Sequence, residues 1–124
     1  MNDSQAIYET YAAQHLTGES SRCVIDSDGN KRWWLNNKIH RDGGPAVEKA
    51  DGKKYWAQNG SLHREDGPAV VHADDHMEWY LNGSEYSMYD WAMTMLRRHN
   101  KPADPKSVQE FLRPILAKQT KDLI

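Results

Sequence analysis

Two short strings carry residue types that could do chemistry. His40-Arg41 is followed by Asp42, and His63-Arg64 is followed by Glu65 and Asp66. An imidazole beside a carboxylate can move a proton near neutral pH, and a guanidinium can hold an anion through two parallel N–H donors. A small hydrolase, or a binder of anionic ligands, could be assembled from such parts. Their spacing argues for a different role. The pairs recur 23 residues apart, each ahead of a Gly-Pro-Ala string, Gly44–Ala46 and Gly67–Ala69. A side chain that returns with the backbone answers a geometric need that also returns, such as partnering the polar groups of a loop. Catalysis instead needs different groups converging on one point. His40, Arg41, His63 and Arg64 are therefore assigned to the repeating loop, and no residue is assigned a catalytic role.

The string His72-Ala73-Asp74-Asp75-His76 offers nitrogen and oxygen donors of the kind borderline metal ions accept. One period earlier, however, Lys49 stands at the place of His72 and Lys53 at that of His76, and no cysteine pair or fourth ligand of recognised spacing accompanies the cluster. No metal and no cofactor are expected. Cys23 is the only cysteine, so no internal disulfide can form, and no motif around it marks a nucleophile. A P-loop, a dinucleotide fingerprint, a nucleophile elbow, a zinc-protease helix and an EF-hand loop are all absent from the sequence. The reading is of a protein that is not an enzyme.

The elements that must position these residues are set by the repeat. DGNKRWWLNNKIHRDGGPAVEKA, Asp28–Ala50, is followed by DGKKYWAQNGSLHREDGPAVVHA, Asp51–Ala73. Trp33, Trp56 and Trp79 fall in one column, and Asn36, Asn59 and Asn82 in another. A third copy starts at Asp74 and gives way after Tyr86, where Tyr86-Ser87 replaces His-Arg. A half copy precedes the first, with Cys23-Val24 at the place of Ala46-Val47. Asn59-Gly60, Asn82-Gly83 and Asn36-Asn37 are residue pairs suited to two-residue hairpin turns, and Asp28-Gly29, Asp51-Gly52 and Asp74-Asp75 mark the opposite turns. Alternation along a strand puts Trp33, Trp56 and Trp79 on one face, which reads as core, and Arg32, Trp34, Tyr55 and Tyr80 on the other. Trp56 is thus expected to be more buried than Trp34.

Past Ser87 the spacing becomes helical. A helix is expected over Met88–His99, capped by Ser87, and a second one opened by Asp104-Pro105, with Val108, Phe111, Leu112, Ile115, Leu116 and Leu123 at amphipathic spacing and Pro114 kinking or dividing it. Ile7, Tyr8, Tyr11 and Ala12 predict a short N-terminal helix. The fold class is α+β: an antiparallel hairpin-repeat sheet in a single domain of 124 residues, with a helical segment over 1–20, hairpins over 21–86 and helices over 87–124.

Composition narrows the function. No apolar run approaches the roughly 20 residues that span a bilayer, and the opening residues lack a signal peptide, so a cytoplasmic protein is expected. The net charge of -2 is too balanced for a general nucleic-acid binder. It is unevenly spread, with nine basic and fourteen acidic residues over 1–86 against seven and four over 87–124.

The units WWLNNKIHRDGGPAVEKADG and YWAQNGSLHREDGPAVVHADD resemble a family of short Trp/Gly hairpin repeats found in bacteriophage and large-virus proteins, and are distantly similar to MORN-type repeats. The similarity covers about Cys23 to Tyr86. It implies an extended hairpin sheet that serves as a binding scaffold and brings no catalytic residue with it. The expected function is a non-enzymatic protein-binding module, in its most concrete version a phage or mobile-element inhibitor that occupies a host protein such as a defence-system component. The alternatives are a binder of nucleic acid or nucleotides through the Arg/aromatic face and a small hydrolase built on the His-Arg pairs. The interface is expected where the repeat breaks, on Tyr86, Tyr89, Arg97 and Arg98 together with Trp34 and Tyr80, because Trp, Tyr and Arg dominate interface energetics.

Overall fold

The computed structural model describes residues 21–120; the helix expected over 1–20, and Leu123, lie outside them. Ten strands precede two helices: β1 (Arg22–Ile25), β2 (Lys31–Leu35), β3 (Lys38–Ile39), β4 (Val47–Glu48), β5 (Lys54–Tyr55), β6 (Ala57–Gln58), β7 (Ser61–Leu62), β8 (Val70–Val71), β9 (Met77–Leu81), β10 (Ser84–Tyr86), α1 (Met88–Arg98) and α2 (Pro105–Thr120). Eight strands form one sheet in the order β1-β2-β4-β5-β8-β9-β10, with β3 on β2, and β6 pairs with β7. Every pairing is antiparallel. The α+β class follows from these elements.

Turn chemistry sets the hairpins. Asn36 and Asn37 take φ of 52° and 64°, Asn59-Gly60 take 51° and 85°, and Asn82-Gly83 take 51° and 83°. Positive φ at both central positions is the twist that matches paired strands, and Asn and Gly reach it at least cost. At the opposite end Asp26 organises the first turn. Its carboxylate accepts the backbone N–H groups of Asp28 (2.9 Å) and Asn30 (3.0 Å) and a guanidinium N–H of Arg32 (3.0 Å). The Asn30 backbone N–H first, then Arg32, lower its pKa from 3.8 to about 2. A carboxyl held lower in the folded state stabilises the fold above its unfolded pKa and loses that contribution as pH falls. The difference in unfolding free energy between the wild type and Asp26→Asn should therefore be full above pH 3.8 and shrink toward pH 2, as measured by denaturant titration at each pH. A difference constant across that window would refute the assignment.

Cross-strand register defines the two faces. Arg32, Val47, Tyr55, Val70 and Glu78 stand side by side in one row, and Lys31, Glu48, Lys54, Val71 and Met77 in the next. Each row alternates in direction with its neighbour, so Trp33, Trp56 and Trp79 share the face of Lys54, while Trp34 and Tyr80 share that of Tyr55. The helices cover only one end of the tryptophan face. Trp79 and Leu81 pack with Trp91, Ala92, Met95 and Leu96 of α1 and with Val108 and Leu112 of α2. The single core expected along the whole tryptophan column is therefore confined to Trp79. Trp33, Trp34 and Trp56 are all half-buried, because two helices cannot reach across the full sheet.

Helix ends follow their caps. Ser87 Oγ accepts the Asp90 backbone N–H at 3.1 Å, and Asp104 accepts that of Ser107 at 2.9 Å. Of the two outcomes expected at Pro114, a kink or a division, the helix is not divided: α2 runs through it from Pro105 to Thr120. Pro114 and Glu110, whose carbonyl loses its partner to the proline, are both exposed, so water can take the bond.

Candidate functional site

The His-Arg loops are built from side chains that partner backbone. The Asn59 backbone N–H donates to His40 Nδ1 at 3.0 Å, and 23 residues on the Asn82 backbone N–H donates to His63 Nδ1 at 2.9 Å. The proton of each neutral ring therefore sits on Nε2, which faces Asp42 at 3.4 Å from His40 and Glu65 at 2.8 Å from His63. In a nucleophilic triad the carboxylate fixes one ring nitrogen and the other is open to the nucleophile. Here a backbone N–H holds that second nitrogen. Each histidine ties its own loop to the hairpin turn of the next copy, and Gly60 N–H to Ile39 O (2.8 Å) and Gly83 N–H to Leu62 O (2.8 Å) bind the same junctions.

The arginines work within a copy. Arg41 and Arg64 place their guanidinium carbons 3.9 Å above the Trp33 and Trp56 rings and donate to the carbonyls of Pro45 (3.1 Å) and Pro68 (3.0 Å). The glycines of the motif make room for them. A Cβ on Gly44 would come within 3.1 Å of the Arg41 guanidinium, and one on Gly67 within 2.8 Å of that of Arg64. The third copy has Ser87 where an arginine would stand, and its tryptophan is covered differently. The Trp91 indole lies 4.7 Å from the Trp79 ring and 5.9 Å from that of Phe111, and donates its N–H to Arg64 O at 3.1 Å. Helix α1 thus supplies an aromatic lid in place of the missing guanidinium.

Beside these covered tryptophans, a groove of about 840 Å³ opens on the tryptophan face. Trp56 and Gln58 line it together with the basic side chains of Arg41, Lys54, Arg64 and Lys118, and His72 from the turn after β8 reaches it as well. Asp42, Glu65 and Asp66 bring opposite charge to the rim. The end of α2 reaches it, with Gln119 Oε1 3.5 Å from an Arg64 N–H.

The six residues expected at an interface do not form one patch. Trp34 in β2 and Tyr80 in β9 are separated by β4, β5 and β8, roughly 19 Å at the usual strand spacing. Both lie on the face away from α1. Tyr86 packs against the helical core. Tyr89, 51% exposed, and the exposed Arg97 and Arg98 stand at opposite ends of α1. Cys23 is half-buried, and burial pushes its thiol pKa up, the opposite of an activated nucleophile.

The turn between β8 and β9 brings His72, His76 and Glu78 together, with their donor atoms within 4.8 Å of one another. Glu78, hydrogen-bonded first by His72 and then by Tyr80, has its carboxyl held below the usual range. Sequence reasoning noticed the histidines but not Glu78; alternation in β9 could have supplied it. It also missed Trp91 as the substitute lid, although the loss of the arginine at Ser87 left Trp79 visibly without cover.

No family model, no curated protein and no solved structure matches this chain.

Proposed function

We propose that the protein is a non-enzymatic binding module for another protein and that the groove over Trp56 receives it. The observation that carries this reading is the use of the His-Arg pairs. Nδ1 of each histidine accepts a backbone N–H from the turn of the next copy, and Nη1 of each arginine donates to a proline carbonyl of its own loop, so these side chains are held in place and neither Nδ1 is open as a base. Preorganised side chains lower the ordering cost of association. A tryptophan with charges of both signs around it has the composition of an interface centre and rim. The acidic excess over 1–86 disfavours a phosphate backbone as the partner. The finer reading, an inhibitor from a phage or mobile element acting on a host-cell protein in the cytoplasm, rests on the resemblance of the repeat. No helix among the described residues is long and apolar enough to cross a membrane.

The test uses a partner recovered by crosslinking and then purified. Lys54→Glu with Lys118→Glu, both exposed positions, should weaken its binding at least about tenfold, or ~1.4 kcal/mol, with an unchanged thermal melt. Loss confined to Arg97→Glu with Arg98→Glu moves the interface to α1. Salt-sensitive retention of RNA or DNA instead of protein supports the nucleic-acid alternative. Turnover abolished by His63→Asn supports the hydrolase.

A further inference from the structure

The turn between β8 and β9 and the strand that leaves it differ from their counterparts one copy earlier at His72, His76, Glu78 and Tyr80. In the register that pairs Val70 with Glu78 and Val71 with Met77, His72 and His76 stand directly opposite each other. Directly opposed residues point to the same side of the sheet, and Glu78, two residues beyond His76, points there too. The backbone fixes this arrangement. His72 N–H donates to His76 O (2.8 Å), Asp75 N–H donates to His72 O (2.9 Å), and His76 N–H donates to Asp74 Oδ1 (3.1 Å). Tyr80, two residues further along the same face, donates its hydroxyl to Glu78 Oε1 at 3.1 Å. That bond leaves Oε2 aimed at His72 Nε2, 2.6 Å away.

The fold does not require these residues. One copy earlier the corresponding places hold Lys49, Lys53, Tyr55 and Ala57, and the same two backbone bonds close the turn, Lys49 N–H to Lys53 O (2.8 Å) and Gly52 N–H to Lys49 O (3.0 Å). Two lysines, a tyrosine and an alanine serve the hairpin equally well. Four replacements on one face have together produced two imidazoles, a carboxylate and a hydroxyl that orients the carboxylate.

We infer that His72, His76 and Glu78 form a binding site for a borderline divalent transition-metal ion, Zn²⁺ being the best match to the donors. Two imidazole nitrogens and one carboxylate oxygen are a ligand set that Zn²⁺ takes at about 2.0 to 2.2 Å, with the fourth tetrahedral position left to water. The donors already lie within 4.8 Å of one another; binding breaks the 2.6 Å His72–Glu78 hydrogen bond, its proton passing to solvent or to the other ring nitrogen, and side-chain rotation then gives the roughly 3.3 Å separation such bonds impose. Tyr80 is a positioning residue. An outer hydrogen bond to a ligating carboxylate fixes its orientation, and its removal costs about 10- to 100-fold in metal affinity. An open fourth position can accept a donor from a partner, and because His72 also lines the groove over Trp56, an ion held there stands at the edge of that groove.

The experiment is calorimetric titration of ZnCl₂ into the untagged full chain, with ¹⁵N-imidazole NMR reporting which rings respond. One-to-one saturation with shifts at both His72 and His76 is expected. The His72→Lys and His76→Lys double variant carries the residues of the preceding copy and should keep the thermal melt while losing that saturation. Tyr80→Phe should bind about tenfold more weakly, a change that a hydroxyl serving only the fold would not produce. Absence of one-to-one binding in the wild type overturns the site. So does undiminished binding by the double lysine variant, which would place the ion elsewhere, for instance at His63 and Glu65.

Discussion

Trp91→Ala is expected to cost more stability than any other single truncation among the described residues. The indole is 0% exposed and packs against both Trp79 and Phe111 in the core. Emptying such a site costs about 3 to 5 kcal/mol. The Arg64 carbonyl that accepts its N–H at 3.1 Å would also lose its donor, at about 1 to 3 kcal/mol more. Against a typical domain stability of roughly 5 to 15 kcal/mol, the variant should be largely unfolded or melt far lower. Trp91→Phe keeps an aromatic ring but removes the donor together with part of the indole's volume, so its loss sets an upper bound on the contribution of the hydrogen bond. Denaturant unfolding of the three proteins measures both losses. A loss under about 1 kcal/mol for the alanine variant would mean that α1 does not close the sheet as described.

Arg64→Lys should be strongly destabilising, although it keeps the charge. The Arg64 side chain is 6% exposed; its guanidinium stacks on Trp56 and bonds Pro68 O at 3.0 Å and Asp66 at 2.7 Å. A lysine ammonium cannot lie flat on the ring while serving two acceptors in different directions. The loss of a charged hydrogen bond and of the stacking sums to about 2 to 4 kcal/mol. Arg41→Lys should cost about 1 kcal/mol, because the Arg41 side chain is 30% exposed and water can replace what it gives up. Gly67→Ala should mimic Arg64→Lys by pushing the guanidinium off Trp56, at about 1 to 3 kcal/mol. Equal losses for Arg41→Lys and Arg64→Lys in thermal and denaturant unfolding would contradict the burial difference.

The hairpins were legible because their signals are local. Asn59-Gly60 states its turn type through backbone sterics alone, and Ser87 states a helix start through one side-chain oxygen. The division of labour within the His-Arg loops was only half legible. Recurrence at Arg41 and Arg64 pointed to structure, but no pattern in the chain says that a guanidinium will lie on a tryptophan two strands back and that a glycine will vacate the space for it. Burial of the tryptophan column was misjudged for a related reason. A period states which face a residue takes, whereas its cover depends on how far α1 and α2 reach, which is a matter of length in space. The interface residues share that difficulty: Trp34 and Tyr80 share a face by alternation, and only strand order reveals the distance between them. His72, His76 and Glu78 show the converse, since comparison with Lys49 and Lys53 argued against a metal while the register brought in the third donor.

The histidine bonds have a consequence for how the protein can change over time. Each reaches from one copy to the turn of the next and no further, so nothing in the middle of the sheet records how many copies there are. Copy number is written only where the series stops, in the exchange of an arginine for the Trp91 lid. Duplication or loss of a middle unit would still leave each copy a histidine to hold the turn of the next. Length is therefore a cheap variable for this architecture, and the span of its tryptophan face can be adjusted in whole units without redesigning the end that holds it.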